Sequence, residues 1–347
     1  MKKLIFLGIL IVLGVVVWVV GKPYYDLHFS GGQAAEVYDI YIPTGSNVED
    51  VANLLDGKIM DKDNFLDFSS KLGYTDDKVE PGKYNLGGSF KNKEIIYALK
   101  NGNQEINNIS ITFNNCRTIE EMAGKVAPSI EADSAEIVDH IMNPATISTY
   151  GFKDETIVAM FLPDTYEVGE WDMSAEEFVA FMANVFKEFW ADEGGTLRGS
   201  KLHDLQMSQS EVSTLASIIE SEQGVFKQEW GTIAGLYLNR VKGNWFLQSD
   251  PTAKFCWGDE LDGVQRLLTV HMQKDCPYNT YLYPGLPPGP IRMPSKTALD
   301  AVLNAEQHDY YFMCAKPDNS GLHNFAHTLT EHNRNARLFH QWMDSRN

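Results

Sequence analysis

The chain predicts an α+β fold in three parts: an N-terminal transmembrane helix, a small strand-helix-helix-strand module, and a mixed α+β region carrying a glutamate on an apolar helix. Three observations predict it. An uncharged apolar stretch follows Met1-Lys2-Lys3. Apolar residues then recur at helical spacing behind cap signatures, between short β-branched and aromatic runs. Prolines concentrate late, in residues 244–294, among polar and aromatic segments that read as loops and short strands.

The apolar stretch runs from Leu4 to Val20. At about 1.5 Å per residue it spans roughly 25 Å, near the short limit for a membrane helix. The flanking lysines are expected to stay cytoplasmic, which places the rest of the chain outside. A cleaved signal peptide is the competing reading. Val19-Val20-Gly21 is a poor small-residue cleavage site, however, and the stretch is long for a signal core. The expectation is a single-pass anchor over residues 1–22 in the cytoplasmic (inner) membrane, with the remainder periplasmic.

Residues 36–101 hold the small module. Ile40-Tyr41-Ile42 leads to Asn47, a cap with Asp50 three positions on, then Val48, Val51, Ala52 and Leu55. A second helix over Asn64–Leu72 and a strand over Lys83–Leu86 complete the order, and residues 91–99 add a helix burying Ile95, Ile96 and Leu99. Ile111-Thr112-Phe113, Thr118, Glu121 and the run Ile119, Met122, Ala123, Val126 repeat the strand-cap-helix design 71 positions later. Two units are too few for a solenoid. This second unit opens a connecting region, 102–200, in which Ser174–Trp190 carries a core-facing aromatic stripe and Gly194-Gly195 and Gly199 break the chain.

The last part, 201–347, starts with a helix signature at Ser208 and Glu211, a capping box. Val212, Leu215, Ala216 and Ile219 give one buried stripe, and Glu220 falls on its flank. A half-shielded carboxylate has a raised pKa and can donate a proton near neutral pH. Ser221 is expected on the solvent side. Glu222, about 200° round the helix from Glu220, is expected to point elsewhere. Taken alone, Glu220 reads better as a surface residue at a helix end; the later loop motifs shift the balance. Further helices are expected over Glu229–Val241, Ser295–Ala305 and Thr330–Trp342, with a strand over Tyr310–Met313.

The net charge of −18 argues against a nucleic-acid partner, because phosphate binding needs clustered Lys and Arg. It equally opposes simple attraction to an acidic polymer, leaving hydrogen bonds and ring stacking to hold such a ligand. Cys256 and Cys276 bracket the loop region as a candidate disulfide, with buried free thiols an equal alternative. His323, His327 and His332 with His308 meet no zinc signature. No metal and no cofactor are expected, and no acyl-transfer or nucleotide-binding motif is present.

The ordered motifs Leu215–Glu220, Leu238-Asn239-Arg240, Gln248-Ser249-Asp250-Pro251-Thr252, Pro277–Tyr281 and Gly285–Ile291 resemble the YceG-like (MltG) endolytic murein transglycosylases. Phe161–Tyr166, His323-Asn324-Phe325 and His332-Asn333 support the resemblance. It implies a lyase anchored in the membrane that cuts nascent peptidoglycan strands at the MurNAc-GlcNAc bond and leaves a 1,6-anhydro end. It implies a LysM-like N-terminal module and places the family's catalytic glutamate on Glu220. Asn239, Gln248, Ser249, Asp250, Thr252, Tyr278, Asn279 and Tyr281 become candidate groove residues, with Asp250 equally readable as a turn former. The 285–291 segment becomes a candidate groove wall. Peptidoglycan is the expected partner and cell-wall synthases are further candidates. A non-catalytic cell-wall scaffold and a peptidoglycan hydrolase are the alternatives. Ser221-Glu222-Gln223-Gly224 departs from the family pattern, as does Phe255-Cys256-Trp257-Gly258 with the insertion to Leu268.

Overall fold

In a computed structural model, residues 2–30, 36–102, 106, 108–191, 197–264 and 267–346 are described, with side chains from Phe6 onward. The expected break at Gly194-Gly195 lies outside these residues. The chain divides into two units. One comprises 1–111, 128–132 and 166–174, and the other 112–127, 133–165 and 175–347.

In the first unit, α1 (Lys2–Val16) continues through a π-helical turn into α2 (Lys22–His28). Residues Phe6–His28 form a span long and apolar enough to cross a membrane. The module follows as β1 (Val37–Ile42), α3 (Val48–Leu55), α4 (Lys62–Leu72) and β2 (Gly82–Gly87), then α5 (Asn92–Asn101). Asn47 caps α3 through a capping box with Asp50, as its side chain and spacing require. β1 and β2 pair antiparallel, Val37 facing Gly87 and Ile42 facing Gly82. Ile40, Ile42, Leu55, Phe65, Phe68, Tyr84, Ile95, Ile96 and Leu99 share one core beneath them.

β3 (Ile109–Phe113) pairs with β4 (Asp164–Gly169), and α6 (Ile119–Val126), α7 (Ser134–Ile141) and α8 (Pro144–Thr149) lie between them in sequence. Thr118 caps α6, and Ile119, Met122, Ala123 and Val126 are buried as the spacing predicts. The second unit adds α9 (Ala175–Trp190), α10 (Arg198–Leu205), α11 (Gln209–Glu222), α12 (Trp230–Lys242) and α13 (Asp250–Phe255). It closes with α14 (Lys296–Leu303), the antiparallel hairpin β5 (Phe312–Ala315) and β6 (His323–Ala326), and α15 (Leu329–Asp344). Gly199, expected to break the chain, sits inside α10.

The loops expected over 244–294 are present, but the short strands expected among them need correction. Among the described residues this stretch holds no strand. It holds α13 and two short 3-10 turns. Asp250-Pro251 opens α13, because proline at the first turn lacks only an N–H that the helix leaves unpaired anyway.

Candidate active site

Helix α11 delivers two carboxylates to different surroundings. Burial runs unbroken from Val212 to Ile219, so the single stripe expected from periodicity is replaced by a helix wrapped by α12, α13 and α14. Only its last turn emerges. There Glu220 Oε2 accepts the backbone N–H of Ser295 at 2.8 Å, at the N-cap of α14. Glu220 thus joins two helices and does not line the neighbouring cavity. Ser221 and Glu222 do, with Glu222 directed away from Glu220 as expected. The offset of about 200° holds; which carboxylate meets the open volume does not.

The cavity measures about 880 Å³ and lies within the second unit, between the ends of α6, α11 and α13 and the strap after Gly289. Ser249 Oγ donates to Glu222 Oε2 at 3.1 Å, and the Tyr237 hydroxyl of α12 is a second partner. Ser249 occupies the N-cap position of α13, yet its hydroxyl makes no cap bond and serves Glu222 instead. Burial raises the Glu222 pKa to about 7, with the charge of Asp250 adding to the rise. The hydrogen bonds from Ser249 and Tyr237 and the charge of Arg240 pull the other way and lose.

Gln223 fixes the helix end that carries Glu222. Its Nε2 donates to Glu229 Oε2 and to Gly321 O, both at 3.0 Å, and its backbone oxygen accepts from Trp230 Nε1 at 2.6 Å. Glu229 in turn pairs with His323 Nδ1 at 2.9 Å. Within the segment that departs from the family pattern, Gln223 is therefore a bonded support for the helix end. His323 holds the fold, and among the described residues no His, Cys, Asp and Glu group could hold a metal.

Of the eight candidate groove residues, only Asp250 lines the cavity, and Ser249 reaches it through Glu222. Tyr281 acts behind Asp250, donating its hydroxyl to Asp250 Oδ1 at 2.5 Å. Asn239 donates to His308 O and Tyr310 O, pinning α12 to the approach to β5. Thr252 and Thr280 share a buried hydroxyl contact at 2.7 Å that ties α13 to the segment after Cys276. Asn279 is buried and donates to Met272 O and Lys274 O. Gln248 and Tyr278 lie outside the lining, Tyr278 packing on Phe255 at 4.6 Å. Short polar side chains in a loop bond to nearby backbone as readily as to a ligand, and here most do.

Sequence reasoning missed Arg117, Lys254 and Arg292, which line the same cavity. Arg117 is held by Asp259 at 2.8 Å, Asp262 at 3.1 Å and Glu121 at 3.3 Å. Cys256 and Cys276 form a disulfide and close the segment that carries both aspartates. A loop of this size is worth about 3 kcal/mol in the chain-entropy account. The Cys256→Ser/Cys276→Ser variant is expected to melt lower by calorimetry, and reductant should lower the wild type but leave the variant unmoved.

A carboxylic acid with a pKa near neutrality beside an open cavity is the arrangement of an acid-base catalyst. The chain belongs to the YceG-like family, whose model matches residues 40–338. It is 25% identical over 315 residues to the endolytic murein transglycosylase of Bacillus subtilis, covering 85% of this chain and 83% of that one. It is 24% identical to the endolytic murein transglycosylase of Streptococcus pneumoniae R6, covering 85% of this chain and 57% of the longer protein. A crystal structure of a YceG-like protein from Listeria monocytogenes superposes with a TM-score of 0.54 at 25% identity, over 86% of this chain and 98% of that one.

Proposed function

We propose that the protein is an endolytic peptidoglycan lytic transglycosylase and that Glu222 is its proton donor. The observation that carries this reading is a raised-pKa glutamate, oriented by Ser249 and Tyr237, on the wall of the cavity shared by α6, α11 and α13. Glu222 protonates the oxygen joining N-acetylmuramic acid to N-acetylglucosamine, and that bond breaks with oxocarbenium character at the muramyl C1. The C6 hydroxyl of the same sugar closes onto C1 and returns its proton to Glu222. The proton count balances and no water is consumed. A held internal nucleophile carries an effective molarity of about 10⁵ M or more, enough to outcompete water. Asp250 lies on the same wall but is engaged by Tyr281, which suits it to holding substrate rather than to activating water.

The disulfide supports a location outside the reducing cytoplasm. The apolar Phe6–His28 helix supports an anchor with the site on the periplasmic side of the inner membrane. The β1-α3-α4-β2 order supports a LysM-like role for residues 36–101. Release of growing strands beside a cell-wall synthase then follows as the biological consequence.

Mass spectrometry of digested peptidoglycan tests the reaction. Ends one water lighter than reducing ends are expected. Ordinary reducing ends would make the protein a hydrolase, and uncut strands a scaffold. The donor must hold its proton, so kcat/KM should be level below pH 7 and fall about tenfold per pH unit above the Glu222 pKa of about 7. A profile that rises through that range would overturn the acid role.

A further inference from the structure

The net charge of −18 sets the protein against anionic ligands, yet the cavity beside Glu222 contains three cations. Their states differ. Arg117 is fully engaged by Glu121, Asp259 and Asp262 and serves the wall. Lys254 and Arg292 have no carboxylate partner among the described residues. Among the described residues Lys254 Nζ donates only to the carbonyl oxygen of Val264, at 3.3 Å, and Arg292 donates only through Nη2, to Asn115 Oδ1, so each has donors to spare.

A guanidinium and an ammonium with spare donors on one cavity wall are suited to hold an anion. Both are held by rigid elements, Lys254 on α13 and Arg292 on the strap whose Ile291 N–H donates to Ser217 Oγ of α11 at 3.0 Å. We propose that Lys254 and Arg292 form a specificity subsite for a carboxylate carried by the glycan strand. This rests on the peptidoglycan reading above and adds to it a rule for which strands are cut. Two sources carry that chemistry: a carboxylate of the peptide stem, and the lactyl carboxylate exposed where the stem has been removed. A neutral strand has neither.

Calorimetric binding to the full chain carrying Glu222→Gln, which halts turnover, separates these cases. The probes are short muramyl strands bearing stem peptides, the same strands stripped of peptide, and strands whose carboxylates have been amidated. Binding at least tenfold tighter to one or both acidic probes than to amidated strands is expected. Tight binding of stem-bearing strands alone identifies the stem, and of stripped strands alone the lactyl group. Adding Lys254→Met and Arg292→Met should reduce that preference to near unity, Arg292→Glu should invert it, and Arg292→Lys should restore part of it. Equal affinity for acidic and amidated probes, or a preference that survives the double substitution, would overturn the subsite. Binding with the expected preference but no strand cleavage by the wild type would instead remove the lyase reading alone.

Discussion

Glu222→Gln is expected to abolish strand cleavage, by about 10³-fold or more in kcat, while Glu220→Gln remains within roughly tenfold of the wild type. General acid catalysis contributes about 10²–10⁴-fold, and an amide at position 222 would keep the size and the Ser249 contact but lose the transferable proton. At position 220 the requirement is different. The Ser295 N–H needs an acceptor, and the amide oxygen of glutamine supplies one. Removing the acceptor in Glu220→Ala should lower stability by about 1–3 kcal/mol, the cost of an unpaired N–H. The fold tolerates Glu222→Gln and gains from it at high pH. The pKa of Glu222 in the folded protein, about 7, exceeds its ordinary value of 4.5, so ionising it opposes folding. That penalty is absent below pH 4.5, grows between the two values and is complete above 7. Thermal melts of the variant and wild type should therefore coincide at low pH and separate above neutrality, with the variant the more stable. Full activity in Glu222→Gln together with a dead Glu220→Gln would return the donor role to Glu220.

Gly289→Ala is expected to cost about 3 kcal/mol and to impair turnover as well. A methyl group there would sit 1.9 Å from the carbonyl oxygen of Glu155, a backbone atom that cannot rotate away. Relief requires the strap itself to move, at an overpacking cost of about 1–3 kcal/mol or more. For a unit of this size a loss of about 3 kcal/mol shifts the melting midpoint by roughly 6–12 °C. Ile291 and Arg292 of the cavity wall lie two and three residues on, so the displacement reaches the site. Gly224→Ala is the matched control, since a methyl at that position meets nothing closer than 3.8 Å. A Gly289→Ala variant that melts with the wild type would show that the strap has slack.

Local signals were the readable ones. Asn47 with Asp50, Thr118 with Glu121, and Ser208 with Glu211 start their helices where the sequence says they should, because a cap is decided within four residues. The apolar spacing of α3, α5, α6 and α9 also maps onto buried faces, each helix having one side against its core. The loop polar residues were less transparent. Asn239, Thr252 and Asn279 carry the donors a sugar would need, but their partners prove to be backbone atoms and other side chains brought near by folding. Lys254 and Arg292 bore no motif, and only their shared wall with Glu222 draws them together.

What the sequence alone determined is the α+β class, the capped helices and the apolar N-terminal span, and it offered Glu220 as the candidate acid. Only the tertiary structure brings Glu222 forward as the proposed one. Periodicity reports that a residue is covered and is silent about what covers it. For α11, enclosed from Val212 to Ile219, only the positions of α13, α14 and the Gly289 strap leave open volume beside one carboxylate and a backbone N–H beside the other.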